Sequence, residues 1–228
     1  MLPLVLIPGM MCDARMWGAL EAGLPGRPVH HLVPVGAATM QELAALALRA
    51  APPRFALAGL SMGGILAMEM LRQAPDRVDR LALLDTNALA EADDMRARRL
   101  PQIARANADL DAVMRDEMIP NYLAPGPDKA GIADLCRAMA RDLGPEVFAQ
   151  QSLALRDRPD QQATLAGFHG PALVSMGEHD RVCPRARHDI ILAQMPQARF
   201  RIIPGAGHIP PLDRPEDTLS EIIDWLEA

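Results

Sequence analysis

Ser61 lies in Gly59-Leu60-Ser61-Met62-Gly63, a G-x-S-x-G pattern, and is one of four serines in the chain. A serine hydroxyl attacks a carbonyl carbon only when a base takes its proton and an acid orients that base. Later stretches offer both groups. His208 stands in "PGAGHIPPLD", where two glycines let a loop bend an imidazole back over the end of the preceding strand. Asp180 stands in "GEHDRVCP" and Asp85 in "LALLDT". Each follows an apolar run, and either can serve as the acid. A serine, then an acid, then a histidine is the chain order expected when the serine occupies a strand–turn–helix corner.

That corner has strict needs. Neighbours of Ser61 without Cβ atoms let the incoming strand and outgoing helix approach closely. The serine then sits at a helix N-terminus, where backbone dipoles favour developing negative charge. The same glycines do not make a phosphate loop, because the lysine and spacing of G-x-x-x-x-G-K-[ST] are missing. His30, His31, His169 and His188 read as strand, linker or helix-surface residues and His179 as a surface residue, none with metal-ligand spacing.

Short apolar runs alternate with helical patterns, which predicts a parallel sheet joined by crossover helices. Strands are expected over 3–9, 27–35, 55–61, 78–86, 171–180 and 198–208. Helices are expected over 39–51, with Thr39 as N-cap, over 62–75, and over 215–228. Between Thr86 and Pro171 no strand signal occurs, and a stretch that long is no plain loop. Its periodicity, broken over 119–129 and near Gly144-Pro145, predicts three or four helices lying over the sheet. Met95, Met114, Met118, Met139 and Tyr122 are the candidates to roof a pocket there.

Composition narrows the partners. The 228 residues are 50% hydrophobic but only 3% aromatic, with 14 methionines supplying deformable apolar bulk. A net charge of −6 argues against nucleic acid. Cys12, Cys136 and Cys183 are scattered and odd in number, as expected of reduced thiols in a cytoplasmic protein. The opening "MLPLVLIPG" has no basic leader and reads as a strand, not a signal peptide. No apolar run reaches the ~20 residues of a membrane helix. A monomer or homodimer with a small-molecule substrate is expected.

Four ordered stretches, "LVLIPGMMCDARMW" (4–17), "GLSMGG" (59–64), "GEHDRVCP" (177–184) and "PGAGHIPPLDRPE" (204–216), resemble the α/β-hydrolase superfamily. The resemblance is to its compact capped serine esterases: carboxylesterases, pimeloyl-carrier-protein methyl ester esterases and enol-lactonases. It covers nearly the whole chain outside the helical segment. It implies a mostly parallel sheet of six strands flanked by helices, beginning at the family's third strand. Residues 1–87 and 168–228 would form the core and 88–167 an inserted helical cap. Ser61 would be the nucleophile, His208 the base, and Asp180, not Asp85, the acid. Backbone N–H groups of Met10 and Met62 would form the oxyanion hole, and Met11, Trp17, Met118 and Tyr122 would contact substrate. The family often carries His-Gly before the oxyanion residue, where this chain has Pro8-Gly9. That removes a buttressing side chain but spares the N–H groups. No metal or organic cofactor is implied. The resemblance implies cleavage of a small or medium-chain carboxylic ester or lactone through an acyl-enzyme. Serine at the corner excludes the superfamily's aspartate-nucleophile dehalogenases and epoxide hydrolases. Acyl transfer or perhydrolysis by the same triad, and a hydrolase-fold small-molecule receptor, are the alternatives.

Overall fold

The structure, a computed structural model, describes residues 1–126 and 129–228. The apolar runs form six strands: β1 (Leu4–Ile7), β2 (Val29–His31), β3 (Phe55–Leu60), β4 (Val78–Leu84), β5 (Ala172–Gly177) and β6 (Arg199–Ile203). They make one sheet in the order β2-β1-β3-β4-β5-β6, with every pairing parallel. β1, β3 and β5 are buried along their whole length, whereas the edge strand β2 is half-buried. Continuous apolar strands in the middle are what a parallel sheet covered on both faces requires. The strand expected over 27–35 contracts to three residues because Pro28 and Pro34 bracket it, and proline cannot donate to a ladder.

The helices are α1 (Gly18–Ala22), α2 (Met40–Ala50), α3 (Met62–Gln73), α4 (Asp93–Ala108), α5 (Leu110–Val113), α6 (Ile119–Tyr122), α7 (Ala130–Arg156), α8 (Gln162–Ala166), α9 (Arg185–Gln194), α10 (Pro210–Asp213) and α11 (Pro215–Glu227). Thr39 caps α2 as expected, its Oγ1 accepting the Glu42 N–H at 3.2 Å. The step from β1 to β2 runs one way across the sheet, and the later crossovers run the other. Right-handed connections therefore put α1 on one face and α2, α3 and α9 on the opposite one. Packing agrees: α2 lies on α3, α8 joins α3 to α9, and α11 packs with α1 across β4 and β6.

Among the described residues no strand interrupts Leu84 to Ala172. α4, α5 and α7 pack on one another, and α7 kinks at Gly144 (φ 82°), ahead of Pro145. The break expected over 119–129 is shorter in the structure, since 119–122 form α6; it falls between α6 and α7, and its Pro127 and Asp128 lie outside the described residues. These helices reach the loops that follow the strands. Gln151 on α7 accepts the Met11 N–H and donates to the Pro34 carbonyl, both at 2.9 Å. The His208 N–H donates to the Tyr122 carbonyl at 2.7 Å.

All three cysteines are free and buried. No helix among the described residues is long and apolar enough to cross a membrane. His188, expected on a helix surface, is fully buried. It shares the inner face of α9 with Ile191, three residues on, where β5 packs.

Candidate active site

The corner between β3 and α3 holds Ser61 at φ 54°, ψ −117°, a conformation that is costly for any residue with a Cβ. Its backbone is pinned on both sides. The Ser61 N–H donates to the Leu84 carbonyl at 2.9 Å, and the Thr86 hydroxyl donates to the Ser61 carbonyl at 2.7 Å. The flanking glycines are required by contact. A Cβ on Gly63 would lie 2.1 Å from the Ile7 carbonyl oxygen, and one on Gly59 2.2 Å from that of Gly63.

The structure brings Ser61, His208 and Asp180 together from three loops. His208 Nε2 is 2.8 Å from Ser61 Oγ, and His208 Nδ1 is 2.9 Å from Asp180 Oδ1. The same Oδ1 accepts the N–H groups of Val182 and Cys183 at 2.8 and 3.0 Å. Burial works to raise the Asp180 carboxyl. The charge and hydrogen bond of His208, with those two N–H groups, outweigh burial and hold it below the usual carboxylate range. Asp213 braces the histidine loop: its Oδ2 accepts the Gly207 N–H at 2.7 Å, and its Oδ1 takes Lys129 Nζ at 2.9 Å.

Asp85, the other candidate acid, also ends its strand at positive φ (46°), but it does not touch the imidazole. Its Oδ1 accepts the Gly177 N–H at 2.8 Å. The Oδ2 atoms of Asp85 and Asp180 are both buried with no N–H or O–H partner among the described residues. Burial first, then the neighbouring Asp180 carboxylate, push the Asp85 carboxyl well above its ordinary range. Burial beside a second carboxylate thus favours the neutral form of Asp85 and the charged form of Asp180.

Neither the Met10 nor the Met62 backbone N–H has an acceptor among the described residues. Met10, Met118 and Tyr122 line a cavity of about 930 Å³ together with Ser61 and His208. The Tyr122 ring packs 5.6 Å from the His208 ring. Met11 and Trp17 do not line this cavity; both are fully buried in the core. Of the other roof candidates, Met95 lines the cavity, while Met114 and Met139 pack in the core. Asp180, Cys183 and His208 hold ligand-type atoms within 4.8 Å of one another. They suit a cation poorly, since Asp180 and His208 are already bonded together and burial pushes the Cys183 thiol well up, keeping it protonated.

The fold agrees with the comparisons to known proteins. The profile of the alpha/beta hydrolase family matches residues 4–221, and the chain belongs to that family. Pimeloyl-[acyl-carrier protein] methyl ester esterase of Aromatoleum aromaticum is 28% identical, the match covering 94% of each chain. A thermophilic esterase from Thermogutta terrifontis, solved with malate bound, matches at a TM-score of 0.89 and 28% identity, over 100% of this chain and 90% of that one. The enol-lactonase from Burkholderia xenovorans LB400 shares the fold, with a TM-score of 0.86 at 22% identity, over 100% and 92% of the two chains.

Proposed function

We propose that this chain is a serine hydrolase that cleaves small or medium-chain carboxylic esters or lactones through an acyl-enzyme on Ser61. The observation that carries this reading is the continuous path from Ser61 Oγ to His208 to Asp180, at 2.8 and 2.9 Å, opening into a cavity. Ser61 Oγ attacks the ester carbonyl as His208 Nε2 takes its proton. The Met10 and Met62 N–H groups receive the oxyanion; one such donor is worth a few kcal/mol, or about 10²–10³ in kcat. His208 then protonates the leaving alcohol. A water deprotonated by His208 attacks the acyl carbon and releases the acid. Asp180 holds the imidazole in the tautomer that presents Nε2 to Ser61, and it stabilises the imidazolium.

Residues 88–167 act as the cap over a core of 1–87 and 168–228. Methyl esters are the first substrates to try, because the Aromatoleum relative is named for one. The buried, unbridged cysteines fit work in the cytoplasm.

Fluorophosphonate labelling with adduct mapping, paired with Ser61→Ala, tests the reading. We expect the label on Ser61 and a loss of about 10³-fold or more in kcat on p-nitrophenyl esters. An unlabelled Ser61, or an alanine variant that hydrolyses as well as wild type, overturns it.

A further inference from the structure

Arg99 on α4 lines the same cavity as Ser61, His208 and Met10, and it is only 9% exposed. Its Nε and Nη2 bond Glu91 Oε2 at 3.1 and 2.7 Å. Glu91 is not Arg99's alone. Its other oxygen takes Arg158 Nη2 at 3.0 Å, and Arg158 is 8% exposed. One buried carboxylate thus serves two buried guanidinium groups, leaving a surplus of one positive charge. On the cavity side the Arg99 Nη1 faces only the Met10 sulfur, at 4.0 Å, among the described residues. A buried guanidinium edge with no oxygen to donate to is costly unless a ligand completes it.

The rest of the wall does not cancel the surplus. Arg105 is paired with Glu117, Arg98 lies 3.9 Å from Asp94, and Arg181 donates to the Pro120 carbonyl. A chain of net charge −6 therefore builds a net positive wall beside its proposed nucleophile.

We infer that Arg99 is a specificity residue that binds a carboxylate on the substrate, so that the esters preferred are half-esters of dicarboxylic acids. A single surplus charge matches a monoanion, and a carboxylate can accept from the cavity-facing Nη1 that Glu91 leaves free. The inference rests on the ester hydrolysis proposed above.

The test compares monomethyl with dimethyl esters of succinic, glutaric and adipic acids by kcat/KM at neutral pH. Wild type should prefer the half-ester about 10- to 100-fold at the best chain length, the worth of one charge-assisted hydrogen bond. In Arg99→Met that ratio should collapse toward one; the change leaves Glu91 and Arg158 as a balanced pair. If the variant does not fold, the wild-type ratio and competitive inhibition by free glutarate decide. Diesters cleaved as well as half-esters across the series, with no inhibition by glutarate, overturn the inference while leaving the hydrolase reading intact. If no ester of either kind turns over, the inference falls, and fluorophosphonate capture at Ser61 tells whether the hydrolase reading falls with it.

Discussion

Two aspartates end neighbouring strands behind His208, and their roles part at the level of single oxygens. Asp180 Oδ1 meets the imidazole, and Asp85 is set behind Asp180. Asp180→Asn should lower kcat by about 10³–10⁴-fold, because an amide cannot hold the imidazole tautomer or balance its charge. Asp85→Asn should stay within about tenfold, since a neutral amide of the same shape keeps an acceptor for the Gly177 N–H and Asp85 does not touch the imidazole. A larger kcat loss at Asp85 than at Asp180 would reverse the assignment. Stability follows from the same pair. Asp85 binds its proton more tightly folded than unfolded, so from pH ~4 upward its ionisation erodes stability until the folded value is passed. Asp180 shifts the opposite way: its contribution is present above pH ~4 and is lost as pH falls below it. The Tm of Asp85→Asn relative to wild type should therefore rise between pH 4 and 8. A pH-independent difference would show that Asp85 does not carry the proton.

At the scale of elements, the site depends on how closely β1, β3 and α3 approach. Gly63→Ala puts a Cβ against β1 backbone that cannot rotate away, and it should cost more than about 3 kcal/mol or prevent folding. Gly131→Ala, in a helix with nothing within 4 Å, should be neutral or stabilising by up to about 1 kcal/mol. Thermal melts of the two variants check the contrast. Gln151→Leu should cut kcat and lower stability by about 1–3 kcal/mol, since it strips a partner from the Met11 N–H next to Met10 and from the Pro34 carbonyl. The clustering of Ser61, His208 and Asp180 and the strands were legible because their signals are local: a glycine pattern at a strand end, or an apolar run between turns. Gln151 and Arg99 were not. Gln151 reaches its partners across 140 and 117 residues, and Arg99 sits in a helix whose arginine-rich sequence reads as an ordinary solvated face. Met11 and Trp17 expose the converse problem: apolar residues after a strand look alike whether they wall a pocket or fill the core.

Over the whole molecule, a cavity of about 930 Å³ under a helical roof suits a discrete small ester rather than a polymer lying in an open groove. Turnover of p-nitrophenyl esters should extend through short and medium acyl chains, and emulsified long-chain triacylglycerols should be left intact. Activity on the emulsion comparable to that on short esters would contradict a pocket sized for small esters. The scarcity of aromatics has a practical side. Tyr122 is the single tyrosine in the chain, its ring lies 5.6 Å from His208, and its carbonyl holds the His208 N–H. Growth on 3-fluorotyrosine would place one fluorine nucleus in the protein, against the imidazole proposed to take the Ser61 proton. Its resonance would follow the charge of that ring as pH changes and as esters are added, a built-in spectator of the site that needs no engineered label.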